Sequence, residues 1–354
     1  MISYRLKQDI VTDTVRQWIA EGKYRPGDRL PTDSDLSGIF QMNKRTIGIG
    51  LNRLVSEHIL ERAPRRGTVV VKSPEHPLSR AVPLVAVSKG DVYEDLARRL
   101  NLRLQERGLY PVLLNSELVW NTAEVTSFLN CMTEESRPYG ILAIGDTKFP
   151  YQLVRENTDR YANIVFIFRY HYPEDLPCAR YVLTDYADCG RQVVEYFAAR
   201  GHRRIAFPAC PEGSYMGLWS SMQVCIMQSI AKHAAANGLF FDEGLFWRLY
   251  GGAPLEETLA SVLASPEAPT GIFAWSDSFL ANHILKVVQN AGLVPQKDIL
   301  LLGQFNTPFA EQYHFDSFDV RVEETANLAV DMLTNSREEK RILLPPSLSR
   351  HAIP

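Results

Sequence analysis

Apolar and polar positions follow two rhythms along this chain, and the change of rhythm divides it. From about Tyr4 to Glu21 the apolar residues recur with a helical period, which places Ile10, Thr14, Val15 and Trp18 near one face. The loop GKYRPGDRLP interrupts that period with Gly22, Pro26, Gly27 and Pro31. A short helix is predicted to start at Thr32, capped by the Thr32 hydroxyl with Asp35 three residues on, and to end at Phe40. Asn43 is a good N-cap for the next helix. On a wheel stepped by about 100° per residue, Ile47, Leu51, Leu54 and Val55 form its core face. Arg45, Ile49, Asn52, Arg53 and Ser56 lie opposite. Ile59–Arg62 and Thr68–Val71 then read as two strands joined by a tight basic turn, Ala63 to Gly67. Three helices and a hairpin predict a winged helix-turn-helix over residues 1–72.

Residues 73–83 hold three prolines and little apolar content, which predicts a linker. Beyond it the pattern alternates. Strands are predicted at 84–88, 110–115, 139–145, 163–168, 204–209, 271–276 and 299–304, with helices at 93–107, 122–135, 150–160, 186–200, 218–237 and 278–291. Strands alternating with helices imply parallel sheets covered on both faces, in which ligands lie outside the carboxyl ends of the strands. There are too many strands for one small sheet, so residues 84–354 are expected to form two lobes with a cleft between them.

Charge sharpens this division. Residues 1–72 carry 13 lysines and arginines against 8 acids, and the rest of the chain carries 25 against 33. A basic head on an acidic body suggests a small nucleic-acid-binding unit attached to something else. The first turn of the third helix holds Asn43, Lys44, Arg45 and Thr46. Arginine grips guanine with two hydrogen bonds, and lysine, threonine and helix-start amides hold phosphates. Arg65, Arg66 and Gly67 at the hairpin tip reach an adjacent groove, and outward-facing Ile49 meets a thymine methyl. Gly48 and Gly50 each cost this helix roughly 1 kcal/mol relative to alanine. Gly50 lies beside the core stripe, where close helix packing explains it, whereas Gly48 lies on the flank.

Other chemistry is sparse. The five cysteines show no C-x-x-C spacing, which fits reduced thiols in a cytoplasm. Neither a metal nor a cofactor motif is present, and G-x-S-x-G, the Walker loop and G-x-G-x-x-G are missing. No apolar run suits a secretory signal or a membrane span.

GKYRPGDRLPTDSDLSGIF followed by NKRTIGIGLNRLVSEHILERAPRRGTVVV resembles the winged-helix domain of GntR-type transcription regulators. The resemblance implies DNA contacts at Asn43, Lys44, Arg45, Thr46 and Gly67, and Thr32 and Ser34 at the second helix complete the candidate set. Ser34 and Gly48 stand where the family often has arginines. In the body, YVLTDYADCGRQVVEYFAARGHRRIAFPA, GIFAWSDSFLANHILKVVQNAGL, ILLLGQFN and ILLPPSLSRHAIP resemble the periplasmic-binding-protein-like core of LacI/GalR-type repressors. This pairing is similar to that of arabinose-responsive repressors. Candidate effector contacts at strand ends are Tyr93, Asp146, Arg169, Tyr215, Trp219, Tyr250, Trp275, Ser276, Asp277 and Phe305. Aromatic faces stack on sugar rings and a few polar groups fix the hydroxyls. Asp277 reads either as a ligand contact or as the cap of the helix after it. Arg169 and Phe305 replace residues that are commonly acidic in the family, and Arg169 allows an anionic sugar.

The expected function is a cytoplasmic repressor of carbohydrate-utilisation genes that binds a palindromic, double-stranded operator as a homodimer. A sugar or sugar-derived effector in the interlobe cleft changes operator affinity. The alternative is a small-molecule receptor, or an enzyme of sugar metabolism, without a DNA role.

Overall fold

The computed structural model describes every residue except 1–5, 21, 64–66, 73–76, 87–90, 115–120, 135–137, 146–147, 159, 162, 169–175, 177, 211–218, 335–337 and 352–354. The chain divides into two compact units, Met1–Ser79 and Arg80–Pro354.

The first unit contains helices α1 (Lys7–Ala20), α2 (Asp33–Phe40) and α3 (Lys44–Ser56), then an antiparallel hairpin of β1 (Leu60–Ala63) and β2 (Gly67–Val70). Its core joins Val11, Val15 and Ile19 of α1 to Leu36 of α2, Ile47, Leu51 and Leu54 of α3, and Leu60 and Val70 of the hairpin. The buried stripe of α1 is therefore Val11, Thr12, Val15 and Ile19, not the predicted Ile10, Thr14, Val15 and Trp18. Packing against α3 sets this register, because the Thr12 hydroxyl donates to the Gly50 carbonyl at 2.9 Å. Ile10 is left 37% exposed.

The second unit has two lobes. The first begins β3 (Ala81–Ala86), α4 (Asp91–Glu106), β4 (Tyr110–Leu113), α5 (Thr122–Glu134), β5 (Ile141–Ile144), α6 (Tyr151–Glu156), β6 (Ile164–Ile167), β7 (Ala179–Thr184). The second lobe runs α7 (Tyr186–Ala199), β8 (Arg204–Ala206), α8 (Trp219–Ala234), β9 (Phe240–Phe241), α9 (Glu243–Tyr250), α10 (Leu255–Leu263), β10 (Gly271–Phe273). It continues with α11 (Asp277–Phe279), which passes through a π-turn into α12 (Leu285–Asn290), then β11 (Leu300–Gln304), α13 (Pro308–Gln312) and β12 (Asp316–Asp319). The chain then returns to the first lobe for α14 (Val322–Leu333) and β13 (Arg341–Leu344), and crosses once more to add β14 (Ser347–Ser349) to the second.

The sheets run β13-β7-β6-β5-β3-β4 and β14-β12-β11-β10-β8-β9. All pairings are parallel except β12 with β14 in the body. Runs such as ILAI in β5 and IVFI in β6 are buried on both faces, as covered parallel strands require. In each lobe the strand order reverses beside the first strand, at β3/β5 and at β8/β10, and crevices for ligands open at such switch points.

Ala81, Val82 and Pro83, read from sequence as linker, belong to β3 and are buried in it. Pro83 pairs with Val112 of β4, while the β5 ladder begins only at Leu84. The missing proline N–H thus falls where the strand has one neighbour. Among the described residues no helix is long and apolar enough to cross a membrane. All five cysteines carry free thiols.

Candidate nucleic-acid interface and interlobe site

Asn43 opens α3 with extended backbone, and its Oδ1 accepts from the Thr46 amide at 2.8 Å and the Thr46 hydroxyl at 3.0 Å. The cap spends the Thr46 hydroxyl proton, so Thr46 offers lone pairs outward rather than the phosphate-donating proton expected of it. Lys44 and Arg45 are exposed, and neither has a partner among the described residues. Two other arginines of this unit are tied down: Arg53 pairs with Asp9 at 2.5 Å, and Arg16 with Glu57 at 2.6 Å. Arg16 draws the Glu57 carboxyl below its ordinary range. Ile49 is 43% exposed on the same outward side as Arg45, Asn52 and Ser56.

Thr32 caps α2 in a reciprocal box with Asp35, through contacts of 3.0 Å and 3.3 Å, and Ser34 is exposed one residue into the helix. Gly67 opens β2 at φ 77°, a left-handed backbone that suits glycine. Arg65 and Arg66 lie outside the described residues. The two glycines of α3 separate cleanly. A Cβ on Gly50 would lie 2.9 Å from the Gln8 carbonyl and from Val11, whereas among the described residues one on Gly48 would meet only Asp33 Oδ2, at 3.9 Å.

In the body, Trp275 and Ser276 follow β10 at the second switch point. Trp275 meets Phe305 edge-to-face, with ring centres 5.0 Å apart. Phe305 packs against the cores of both lobes. Its φ of 92°, followed by 49° at Asn306, marks a sharp reversal after β11. Three anchors hold this reversal. Phe305 N–H donates to the Phe318 carbonyl at 2.7 Å, Asn306 N–H to Ser317 Oγ at 3.0 Å, and Thr307 N–H to Asp277 Oδ2 at 2.7 Å.

Asp277 is thereby assigned differently from both sequence readings. It is wholly buried, and its Oδ1 accepts from the Ser317 hydroxyl at 2.7 Å. Ser276 rather than Asp277 caps the helix, accepting from Phe279 N–H at 3.1 Å. Burial outweighs the hydrogen bonds and pushes the Asp277 carboxyl up to about 7. Asp277 is a brace for the Phe305 loop, and Gly303 has no side chain because a Cβ there would collide with Asp277 Oδ1.

Tyr93 lies in the first turn of α4, buried over Gly145, with Phe168 edge-on at 6.4 Å. Tyr250 sits at the end of α9, not at a strand end. It is 43% exposed, and its ring partners are Phe246 and Trp247 of its own helix. Asp146, Arg169 and Tyr215 lie outside the described residues, as does the side chain of Trp219. Sequence reasoning passed over Gln304 and Asn306. Gln304 is fully buried, and neither atom of its side-chain amide has a hydrogen-bond partner among the described residues. Asn306 links Asp319 at 3.3 Å to the His351 ring at 2.7 Å, and an asparagine two residues past a strand is a signal for its left-handed backbone.

Residues 7–70 match the model of the gntR family of bacterial regulatory proteins, and residues 194–351 match the periplasmic binding protein-like domain. The chain is 25% identical over 319 residues to the arabinose metabolism transcriptional repressor of Geobacillus stearothermophilus, covering 86% of this chain and 82% of that protein. It is 40% identical over 60 residues to the mannosyl-D-glycerate transport/metabolism system repressor MngR of Escherichia coli, a match to 17% of this chain and only 25% of that relative. Among solved structures, the transcriptional regulator CelR in complex with cellobiose superposes with a TM-score of 0.58 at 21% identity, over 98% of this chain and 100% of that one. The trehalose repressor of Escherichia coli does so with a TM-score of 0.58 at 17% identity, over 77% and 100%. Such likeness speaks for the fold.

Proposed function

We infer that this chain, a GntR-type winged helix joined to a periplasmic-binding-protein-like body, is an effector-controlled repressor of carbohydrate-utilisation genes. The observation that carries the reading is the pair of exposed, unpartnered cations Lys44 and Arg45 at the capped start of α3, on a chain that also builds two lobes with switch-point crevices. The N-terminal part of such a helix enters the major groove, where Arg45 grips a guanine and Lys44 a phosphate. It acts in the cytoplasm as a homodimer on a palindromic operator. Apolar side chains on one edge strand of each sheet support self-association: Tyr110 and Leu113 of β4 and Phe240 of β9 are each about half exposed. We read it as a regulator and not an enzyme.

Arg45→Ala should weaken binding to a duplex selected by the wild-type chain by about tenfold, or ~1.4 kcal/mol, and relax preference at one base pair per half-site. Unchanged affinity and selectivity, measured by fluorescence anisotropy, would overturn the DNA reading.

The effector is a sugar or sugar acid held against Trp275 and Phe305, whose rings meet at 5.0 Å. Ligand and operator are coupled only as far as the ligand prefers one lobe arrangement over the other. A thermal-shift screen of neutral sugars and sugar acids should identify one class that raises Tm. Trp275→Ala should weaken that ligand about tenfold, which corresponds to ~1.4 kcal/mol. The absence of a shift with either class would remove the carbohydrate reading.

A further inference from the structure

The flank of α3 that carries Gly48 is open. Among the described residues, the only atom within 4 Å of a Cβ placed there is Asp33 Oδ2, at 3.9 Å. The other oxygen of that carboxylate, Oδ1, accepts from an amino group of Arg62, the third residue of β1, at 2.7 Å. The Arg62 side chain is 29% exposed, and its Nε is buried without a partner. A strand residue is thus drawn across the start of α2 toward the middle of the recognition helix. Arg45, Gly48 and Asn52 follow one another at about one-turn spacing along that side of the helix.

We propose that Arg62, held by Asp33 beside the notch at Gly48, is a phosphate-binding residue on the DNA ridge between the groove entered by α3 and the groove reached by the hairpin. The proposal rests on the DNA-binding reading above. Three features support it. The strand bearing Arg62 runs from the end of α3 into the hairpin tip, so it spans the interval between the two grooves. Asp33 takes one amino group and leaves the other for an anion, and guanidinium suits such two-sided recognition. Gly48 lacks the side chain that would keep a phosphate ridge from closing on that group.

The test uses the full-length chain and a fluorescent duplex that it has selected from a randomised pool, titrated across a salt series. Arg62→Ala should reduce the salt slope by about one and weaken binding several-fold on selected and unselected duplexes alike. Arg62→Lys should restore the slope. Gly48→Leu, which fills the notch and favours helix, should weaken binding while leaving Tm no lower, so the idea is tested even if Arg62→Ala unfolds the head. An unchanged slope in Arg62→Ala, or altered base preference in place of an altered slope, would sink the proposal. Full binding by Gly48→Leu would do the same. Arg45→Ala is the control: if it loses affinity and selectivity while Arg62→Ala keeps its slope, only this inference fails. If Arg45→Ala also binds normally, the DNA reading itself fails.

Discussion

Asp277→Ala should lower the unfolding free energy of the body by about 3–5 kcal/mol, one of the largest losses available to a single side chain here. The carboxylate is buried and accepts from Thr307 N–H and the Ser317 hydroxyl, both at 2.7 Å, with the backbone N–H of Gln304 as a further donor. Alanine leaves these donors in a dry site with no acceptor, and Gly303 across from it gives no side chain to refill the space. The Phe305–Asn306 reversal loses its anchor, so effector response should fail before global unfolding does.

The same residue gives the body a pH dependence of defined sign. Its folded pKa of about 7 stands above the ordinary aspartate value of 3.8, so the native state holds a proton that the unfolded chain releases. Stability from this group is therefore full below the lower value, falls as pH rises through about 7, and levels off above it. Asp277→Asn should flatten Tm between about pH 5 and pH 8. A wild-type Tm that rises over this interval by the amount lost in the asparagine variant would contradict the assignment.

Gly50→Val should cost the head about 3 kcal/mol or more and abolish DNA binding through loss of fold. The first added carbon already lies 2.9 Å from the Gln8 carbonyl and the Val11 side chain. Backbone cannot yield as a flexible side chain would, and separating α1 from α3 also breaks the Thr12–Gly50 hydrogen bond. A small domain has little stability to spare. Gly48→Ala, two residues away, should instead raise the head's stability by up to ~1 kcal/mol, because it trades backbone entropy for helix propensity in open space. Equal Tm shifts in the two variants would refute the packing account.

Local chemistry made the head legible. The Thr32–Asp35 box, the Asn43 cap and the core face of α3 are all written in short spacings. The stripe on α1 was misread because Ile10 and Trp18 are apolar without being central, and only contact with α3 decides between adjacent faces. In the body, β5, β6, β10 and β11 announce themselves as apolar runs, but α14 and β13 do not. Their place in the first lobe depends on a chain return that no local pattern encodes. Asp277 illustrates the same limit. An acid after a strand reads as a cap or a ligand contact, whereas its true partners, Thr307 and Ser317, lie 30 and 40 residues away.

The threefold crossing between lobes also sets an order of assembly on the ribosome. The head is complete once Val70 has emerged, so it can fold while the body is still being made. Neither lobe has that freedom. The first lacks α14 and β13 until Leu344, and the second lacks β14 until Ser349. During that interval a nascent chain carries a finished head and no finished lobe, so on the reading proposed above the unit that meets DNA is built before the unit that senses the effector. A chain stalled before residue 340 would hold a complete head and neither complete lobe.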